Sequence, residues 1–209
     1  MTIVTISREI GSNGAQIAEA VATQLGVSLV DKQVPAEMAQ HLGVPLDVIM
    51  KVEERLLAKP IGVSDEMRAM FAAQRGVAGA MNEAQFIQQM TAALKRLAEP
   101  NSGVFFGRGA QIVLKDYPGA LHVLLYAPPA VRAARVQQRR SIANLETALR
   151  LVEQVDEQRK NWFRHFFSGI DWKNPRHYHL LIDTARLPVP VATALIVQAA
   201  QADPAAPIG

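Results

Sequence analysis

The first thirty residues place the strongest constraint on the fold, because a strand, a glycine-rich turn, a helix and a second strand follow one another there. Residues 2–7 are mostly β-branched and apolar, which is typical of a buried strand. Residues 15–25 carry apolar side chains at helical spacing, and Gly26 marks the end of that helix. Residues 27–30 predict the second strand. This order predicts two parallel strands joined by a helix, and therefore an α/β fold.

The rest of the chain repeats the alternation of strands and helices. Further strands are predicted at residues 104–106, 120–126 and 178–182. Helices are predicted at residues 35–42, 45–57, 65–74, 82–97, 128–140, 144–167 and 188–201, with Asn144 as a candidate N-cap. Five strands with intervening helices predict a three-layer α/β/α sandwich with a parallel five-stranded sheet. Residues from about 33 to 100 form a helical insertion in this scheme, and the tail 203–209 is expected to be disordered.

The composition excludes several classes of site. The 209 residues include no cysteine, so disulfides, thiolate metal sites and cysteine nucleophiles are excluded. An apolar fraction of 49% and a charged fraction of 20% are ordinary for a globular protein, and the length suits a single domain. The first residues lack the basic start of a signal peptide, and no apolar run approaches the roughly 20 residues that span a bilayer. We therefore expect a cytoplasmic protein that does not contact the membrane.

Basic residues are concentrated between residues 132 and 176. This segment holds ten basic and five acidic side chains, a net charge of +5, whereas the whole chain carries +3. Either an anionic ligand or a pair of solvated helices with i,i+4 ion pairs accounts for this pattern. Arginine outnumbers lysine, and the forked guanidinium group favours phosphate as the ligand. The interspersed acids and the lack of a recognition motif argue against nucleic acid.

The turn after the first strand is the leading candidate site. Backbone amides of residues 11–14, followed by a helix N-terminus, would hold an anion. A Walker A motif ends in Gly-Lys-Ser/Thr, whereas this turn continues Gly14-Ala15-Gln16. The pattern alone therefore leaves both a phosphate site and a plain connection open.

Three weaker candidates come from the second half of the chain. His177 and His179 share one face of a predicted strand, but without a third ligand they are better explained as surface histidines than as a metal pair. The i,i+4 aromatic residues favour core or interface packing over base stacking; they are Trp162, Phe163, Phe166 and Phe167. Asp183 follows the last strand and is either a site or a turn residue.

Several segments together resemble the cytidylate kinase-like family. They are Ser7-Arg8-Glu9-Ile10-Gly11-Ser12-Asn13-Gly14, Leu29-Val30-Asp31-Lys32, Phe105-Phe106-Gly107-Arg108-Gly109-Ala110, Leu124-Leu125-Tyr126-Ala127-Pro128, Asp156-Glu157-Gln158-Arg159-Lys160, Ser168-Gly169-Ile170-Asp171-Trp172 and residues 178–187. Their joint order and spacing extend over nearly the whole chain. The resemblance implies one P-loop, nucleoside monophosphate kinase-like domain with a lid at about residues 132–176. It also implies ATP and Mg²⁺ as cofactors and a nucleoside monophosphate as acceptor.

The resemblance also implies roles for individual residues. The donor phosphates would be held by Gly11, Ser12, Asn13, Gly14, Ala15 and Gln16. The acceptor would be bound by Asp31 and Arg108, and the transferring group by the lid residues Arg132, Arg135 and Arg159, with Arg8 as a substitute cation.

The chain departs from the family pattern at three positions. The Walker lysine falls on Gly14, the Mg²⁺-binding Ser/Thr on Ala15, and an acceptor-binding aspartate on Gly109. Two hypotheses follow, an ATP-dependent nucleoside monophosphate kinase and a catalytically weak protein that binds a nucleotide or another phosphate ligand. A lysine restored at position 14 is expected to raise activity under the second hypothesis. The oligomeric state stays open, and a homo-oligomer is compatible with the sequence.

Overall fold

A single parallel sheet organises the protein. The computed structural model describes residues 2–58 and 81–202, and elements are numbered over those residues. The strands are β1 (Ile3–Arg8), β2 (Leu29–Val30), β3 (Gly103–Phe106), β4 (Leu121–Tyr126) and β5 (Leu180–Asp183). Their order in the sheet is β2-β3-β1-β4-β5, and all four strand pairs are parallel. The predicted parallel five-stranded sheet is confirmed, with β1 at its centre.

Helices cover both faces of this sheet. They are α1 (Gly14–Leu25), α2 (Gln33–Leu42), α3 (Leu46–Ala58), α4 (Glu83–Ala98), α5 (Ala110–Val113), α6 (Pro129–Arg140), α7 (Leu145–Phe166) and α8 (Val189–Gln201), with a 3₁₀ turn at Pro175–His177. Helices α1 and α8 pack together on one face, and α2, α3 and α4 build the core of the other. The three-layer α/β/α arrangement therefore forms as the alternation of strands and helices predicts.

The alternation of side chains along the strands separates the two cores. Val104 and Phe106 pack in the core beneath α1 and α8, whereas Phe105 between them packs in the core with α2, α3 and α4. Leu124 belongs to a third cluster with Phe163 of α7. Since every one of these side chains is buried, the strands read as continuous apolar runs, which is typical of a parallel sheet covered on both faces.

The sheet order creates a crevice at the carboxyl ends of β1 and β4. The chain leaves β1 toward β2 on one side and leaves β4 toward β5 on the other. In open α/β sheets ligands bind at such a reversal of direction. The loops that follow β1 and β4 are therefore the parts of the fold that a ligand would meet.

The predicted bounds of the described elements agree with the structure to within two residues. The last strand begins at Leu180 rather than at residue 178, because the buried Tyr178 turns inward and donates from its hydroxyl to the Trp172 carbonyl (2.5 Å). Asn144 caps α7 as predicted, accepting from Thr147 N at 2.8 Å. The predicted helix 65–74 and the tail 203–209 lie outside the described residues. The bounds of the insertion and of the lid stay predictions.

The described helices were also compared with the length and apolarity that a bilayer requires. None of them combines enough length with enough apolar character to cross a membrane.

Candidate anion-binding site at the carboxyl edge of the sheet

The turn after β1 leaves backbone amides unpaired at the start of α1. Gly11 (φ 81°) and Asn13 (φ 59°) adopt left-handed backbone conformations, and α1 begins at Gly14 without a side-chain cap. The first amide to find an acceptor in this helix is Ile17 N, on Asn13 O (3.1 Å). Within the described residues, the amides of residues 14–16 have no side-chain or loop acceptor. Such an uncapped N-terminus presents both donors and the positive end of the helix dipole.

The same turn is fixed by contacts with the residues before it and with α6. Ser12 is fully buried and its hydroxyl donates to Glu9 O (2.8 Å), so this hydroxyl is not free for a ligand. Gly11 lies against the backbone of α6, where a Cβ would stand 2.6 Å from the Arg132 carbonyl oxygen. Position 11 therefore requires glycine for space as well as for its positive φ.

Two arginines of α6 border the turn. Arg135 donates to Gly11 O (3.2 Å) and to the carbonyl oxygen of Thr184 after β5 (2.7 Å). Burial and the neighbouring Arg139 lower the pKa of Arg135. The exposed Arg139 contacts the side-chain oxygens of Asn13 and Gln16. The opening of the turn thus carries two guanidinium groups beside the free amides.

A second pair of arginines lies on the other side of β1. The Arg8 guanidinium stands 4.1 Å from the centroid of the Phe106 ring, and Arg159 donates to the Arg8 carbonyl oxygen (2.5 Å) while stacking over Trp172. Neither forms an ion pair with any residue in the described ranges. We call Arg8 and Arg159 the open pair.

Electrostatics distinguishes the open pair from ordinary arginines. Burial and the charge of Arg159 lower the pKa of Arg8 to about 9, with Asp31 acting in the opposite direction. Burial also lowers the pKa of Arg159, whereas the nearby charges of Asp156 and Glu9 act in the opposite direction. Both groups stay protonated at neutral pH, so two like charges lie close together in a poorly solvated place. An anion bound there would relieve this repulsion.

Arg108 adds a third cation beside the open pair, and it is partly neutralised. It pairs with Glu53 of α3 and lies 3.9 Å from a carboxylate oxygen of Asp31. Its Nε is buried and has no partner among the described residues, and burial lowers the pKa of the group. The structure therefore brings together Asp31 and Arg108, the two predicted acceptor-binding residues, although their role stays a prediction.

Arg132 has a different environment from the other predicted site arginines. It is 2% exposed and its Nε donates to Ala127 O (2.8 Å) and lies 3.1 Å from Glu9 Oε2. Its two terminal nitrogens bind the carboxylate of Asp156 (3.2 and 2.9 Å). Lys173 completes the group by binding Glu9 (2.5 Å) and Asp156 (3.4 Å). We call these four charged residues the paired cluster.

The paired cluster shows what reasoning from the sequence missed. Glu9, Asp156 and Lys173 were not candidate residues, yet they engage the guanidinium of Arg132 and tie β1 to α6, α7 and the segment before β5. The available signal was an acidic residue directly after the central strand, at a place where an anion site was expected. Because its partners hold Arg132 on all sides, the geometry favours a positioning role for it, and its catalytic role stays a prediction.

The weaker candidates are accounted for by packing and turns. His179 stacks on His122 (5.0 Å between ring centroids) rather than joining His177, and the described residues contain no group of three side chains able to hold a metal. The aromatic residues of α7 and its C-cap pack on one another and on Trp172. The carboxylate of Asp183 accepts from Ala185 N (2.9 Å) in the turn after β5.

The residues of the crevice fit a phosphate chain better than a protein-bound Mg²⁺. Free amides and guanidinium groups are the donors that phosphate oxygens require. Mg²⁺ requires oxygen ligands, but position 15 is alanine and the Ser12 hydroxyl is already engaged. The part of the chain that the structure describes also holds no cluster of acidic or histidine ligands. The described residues of the crevice therefore fit a chain of phosphates and form no cluster of ligands for the metal.

These features define an α/β protein with an uncapped helix N-terminus and several arginines at its switch point, and the comparisons specify the family. The chain belongs to the cytidylate kinase-like family, whose model matches residues 3–186. A search of the curated proteins found no match to the chain.

One of the similar solved structures supports the fold. A crystal structure of an uncharacterized protein from Eubacterium ventriosum has a TM-score of 0.67 at 20% identity, covering 97% of this chain and 100% of that one. Shikimate kinase from Acinetobacter baumannii in complex with shikimate has a TM-score of 0.47 at 16% identity, covering 95% and 92%. A gluconokinase from Sinorhizobium meliloti has a TM-score of 0.45 at 16% identity, covering 95% and 89%. At these identities the similarity concerns the fold alone.

Proposed function

We propose that this protein transfers a phosphoryl group from ATP to a nucleoside monophosphate. The observation that carries the proposal is the convergence of free amides at the start of α1 with Arg8, Arg135, Arg139 and Arg159 at one crevice. Phosphoryl transfer depends mainly on positioning and on stabilising the negative charge of the phosphate oxygens. Membership of a kinase-like family supports the same reaction class.

The donor would bind on the side of α1. The amides of residues 14–16 would take its phosphate oxygens, and the exposed Arg139 would release Asn13 and Gln16 to reach them. Arg135 already holds the carbonyl of Gly11, so it would keep the turn in shape rather than leave it. The open pair would face the phosphoryl group in transfer.

The acceptor would bind on the side of β2 and β3. Arg108 would hold its phosphate, since its buried Nε has no partner among the described residues and its ion pairs with Glu53 and Asp31 keep the guanidinium in place. Gly109 offers no carboxylate for the nucleobase. The Phe167 ring fills the space that a side chain at this position would need, since a Cβ built on Gly109 would lie only 2.6 Å from it. We therefore propose that the base is recognised without a carboxylate at this position.

A catalytically weak binding protein is the second candidate function. The specific observation in its favour is the absence of a lysine at position 14 and of a hydroxyl at position 15. Loss of one cation that stabilises the transition state costs about 3 kcal/mol, or roughly a hundredfold in rate. Under this reading the crevice binds a nucleotide or another phosphate ligand without turnover.

A coupled assay for ADP formation separates the two candidates. We expect turnover with ATP and at least one acceptor among CMP, dCMP, UMP, AMP and GMP. Thermal unfolding with ATP should be followed in parallel, because a ligand at 100 times its Kd stabilises the folded state by about 2.7 kcal/mol. Stabilisation by ATP without turnover of any acceptor would select the binding protein. If the protein shows neither stabilisation nor turnover, both candidate functions are rejected.

A further inference from the structure

The side chain of Arg8 occupies the space that a side chain at position 14 would need. A Cβ built on Gly14 would lie 2.8 Å from both Cβ and Cγ of Arg8. The Cβ of Arg8 can move only with the backbone of β1, and its Cγ only with a change of the first side-chain torsion. Gly14 itself has no positive φ, so conformational freedom is not the reason for glycine here. Position 14 is glycine because Arg8 passes over it.

A second glycine makes room for the other end of the same side chain. A Cβ on Gly107, which follows β3, would overlap Nη1 of Arg8. The Phe106 ring lies beneath the guanidinium, 4.1 Å from its carbon. Arg8 thus runs from the end of β1 through a channel between Gly14 and Gly107 and ends beside Arg159 and Arg108.

Among the described residues, no carboxylate forms an ion pair with the charge at the end of this channel. None of them accepts a hydrogen bond from the Arg8 guanidinium; Arg159 and Arg108 repel its charge, and Asp31 attracts it without contact. A poorly solvated charge without a hydrogen-bonded partner is costly in a folded protein. A guanidinium held in this way against Gly14 therefore indicates a ligand that carries the opposite charge.

We propose that Arg8 supplies the phosphate-binding cation of this crevice, in place of a lysine at position 14, and that the two positions exclude each other. The ligand class is a phosphate chain such as that of a nucleoside triphosphate. This inference rests on the proposed function only in taking phosphate as the anion. It corrects the expectation that a lysine restored at position 14 raises activity, since the added side chain would collide with Arg8.

The steric claim, that Arg8 and a side chain at position 14 exclude each other, is tested by a double-mutant cycle in thermal unfolding. Alanine at a helical glycine is otherwise neutral or slightly stabilising. We expect Gly14→Ala to lower the Tm by about 5 °C when Arg8 is present and by much less in an Arg8→Gly background, where both clashing atoms are gone. Equal losses in the two backgrounds would overturn the coupling.

The charge half is tested by binding of tripolyphosphate, followed by calorimetry or by the shift in Tm. We expect Arg8→Ala to weaken binding at least about tenfold and Arg8→Lys to retain part of it, since one charge-assisted hydrogen bond contributes about that much. The exposed Arg176, on the 3₁₀ turn, provides the matched control Arg176→Ala, which should bind as the unmodified protein does. Unchanged binding in Arg8→Ala would overturn the inference.

The two proposals fail in distinguishable ways. If tripolyphosphate binding requires Arg8 but no acceptor is phosphorylated, the inference stands and the kinase activity does not. If an acceptor is phosphorylated and both turnover and binding are indifferent to Arg8, the activity stands and the inference falls.

Discussion

The paired cluster and the open pair lie at the same end of the sheet and treat arginine in opposite ways. Arg132 is enclosed by Glu9 and Asp156, with Lys173 balancing the second negative charge. Arg8 and Arg159, which approach the crevice from the end of β1 and from α7, lie over aromatic rings and have no carboxylate in contact within the described residues. The arginine of the paired cluster is neutralised by carboxylates in contact with it, whereas the arginines of the open pair are not.

This difference explains how the carboxyl edge of the sheet can be both rigid and charged. A guanidinium that two carboxylates surround adds little attraction for an incoming phosphate, but it fixes the elements that carry the turn. A guanidinium left without a counter-ion costs stability in the empty protein and regains it when an anion binds. We therefore expect substitutions in the paired cluster to change stability, and substitutions in the open pair to change binding.

The largest effect should come from the paired cluster. Arg132→Met would leave Glu9 and Asp156 with Lys173 alone, and breaking a buried ion pair in this way costs about 3–5 kcal/mol of folding stability. Urea unfolding measures the loss. Arg140→Met, an exposed position on the same helix, is the control and should change stability by less than about 0.5 kcal/mol. Similar small changes in both variants would show that the paired cluster does not stabilise the fold.

The next largest effect should come from the open pair. Arg159→Met would remove a charge that Arg8 repels but that Asp156 and Glu9 attract, so the Tm of the empty protein should change little. Its affinity for tripolyphosphate should fall by about 10- to 100-fold, the worth of one charge-assisted hydrogen bond. Arg150→Met on the same helix is the control, since Arg150 is exposed and pairs only within the helix. A large loss of Tm with unchanged binding would show that Arg159 stabilises the fold, as the paired cluster does, rather than binding the anion.

A smaller effect is expected from His122, a buried basic side chain that lies away from the crevice and can be compared with the two groups of arginines. His122 is 3% exposed, bonds to Thr5 Oγ1 (2.8 Å), and stacks on His179. Burial and the nearby His179 lower the pKa of His122 from 6.5 to about 4. Between these values the unfolded chain binds the proton and the folded one does not, so stability is lost as the pH falls below about 6.5.

We expect this histidine to cost roughly 1 kcal/mol of folding stability between pH 7 and pH 5.5, measured by urea unfolding at the two values. His122→Asn should reduce that pH dependence, because asparagine does not titrate and can still bond to Thr5. His41→Asn at an exposed position is the control and should leave it unchanged. An undiminished pH dependence in His122→Asn would assign it to other groups.

Local patterns were sufficient for most of the fold. The apolar spacing of residues 15–25, the glycine at position 26 and the cap at Asn144 each act within one helix, so their outcome can be inferred without knowing what packs outside it. The order of the landmark segments also indicated the family correctly. The displaced start of β5 was not predictable in this way, because it depends on the contact between the Tyr178 hydroxyl and a carbonyl six residues earlier in the chain.

The candidate site shows where inference from local pattern ends. The sequence alone determined that a glycine-rich turn opens onto a helix without the Walker lysine, and that arginines follow several strands. It could not separate Arg132 from Arg8, because the contacts that distinguish them include residues far away in the chain, above all Asp156 for one and Gly107 for the other. Only the tertiary structure decides which guanidinium is neutralised and which is left facing the crevice. The physical reason is that an arginine's charge is available to a ligand only where the fold brings no carboxylate to it.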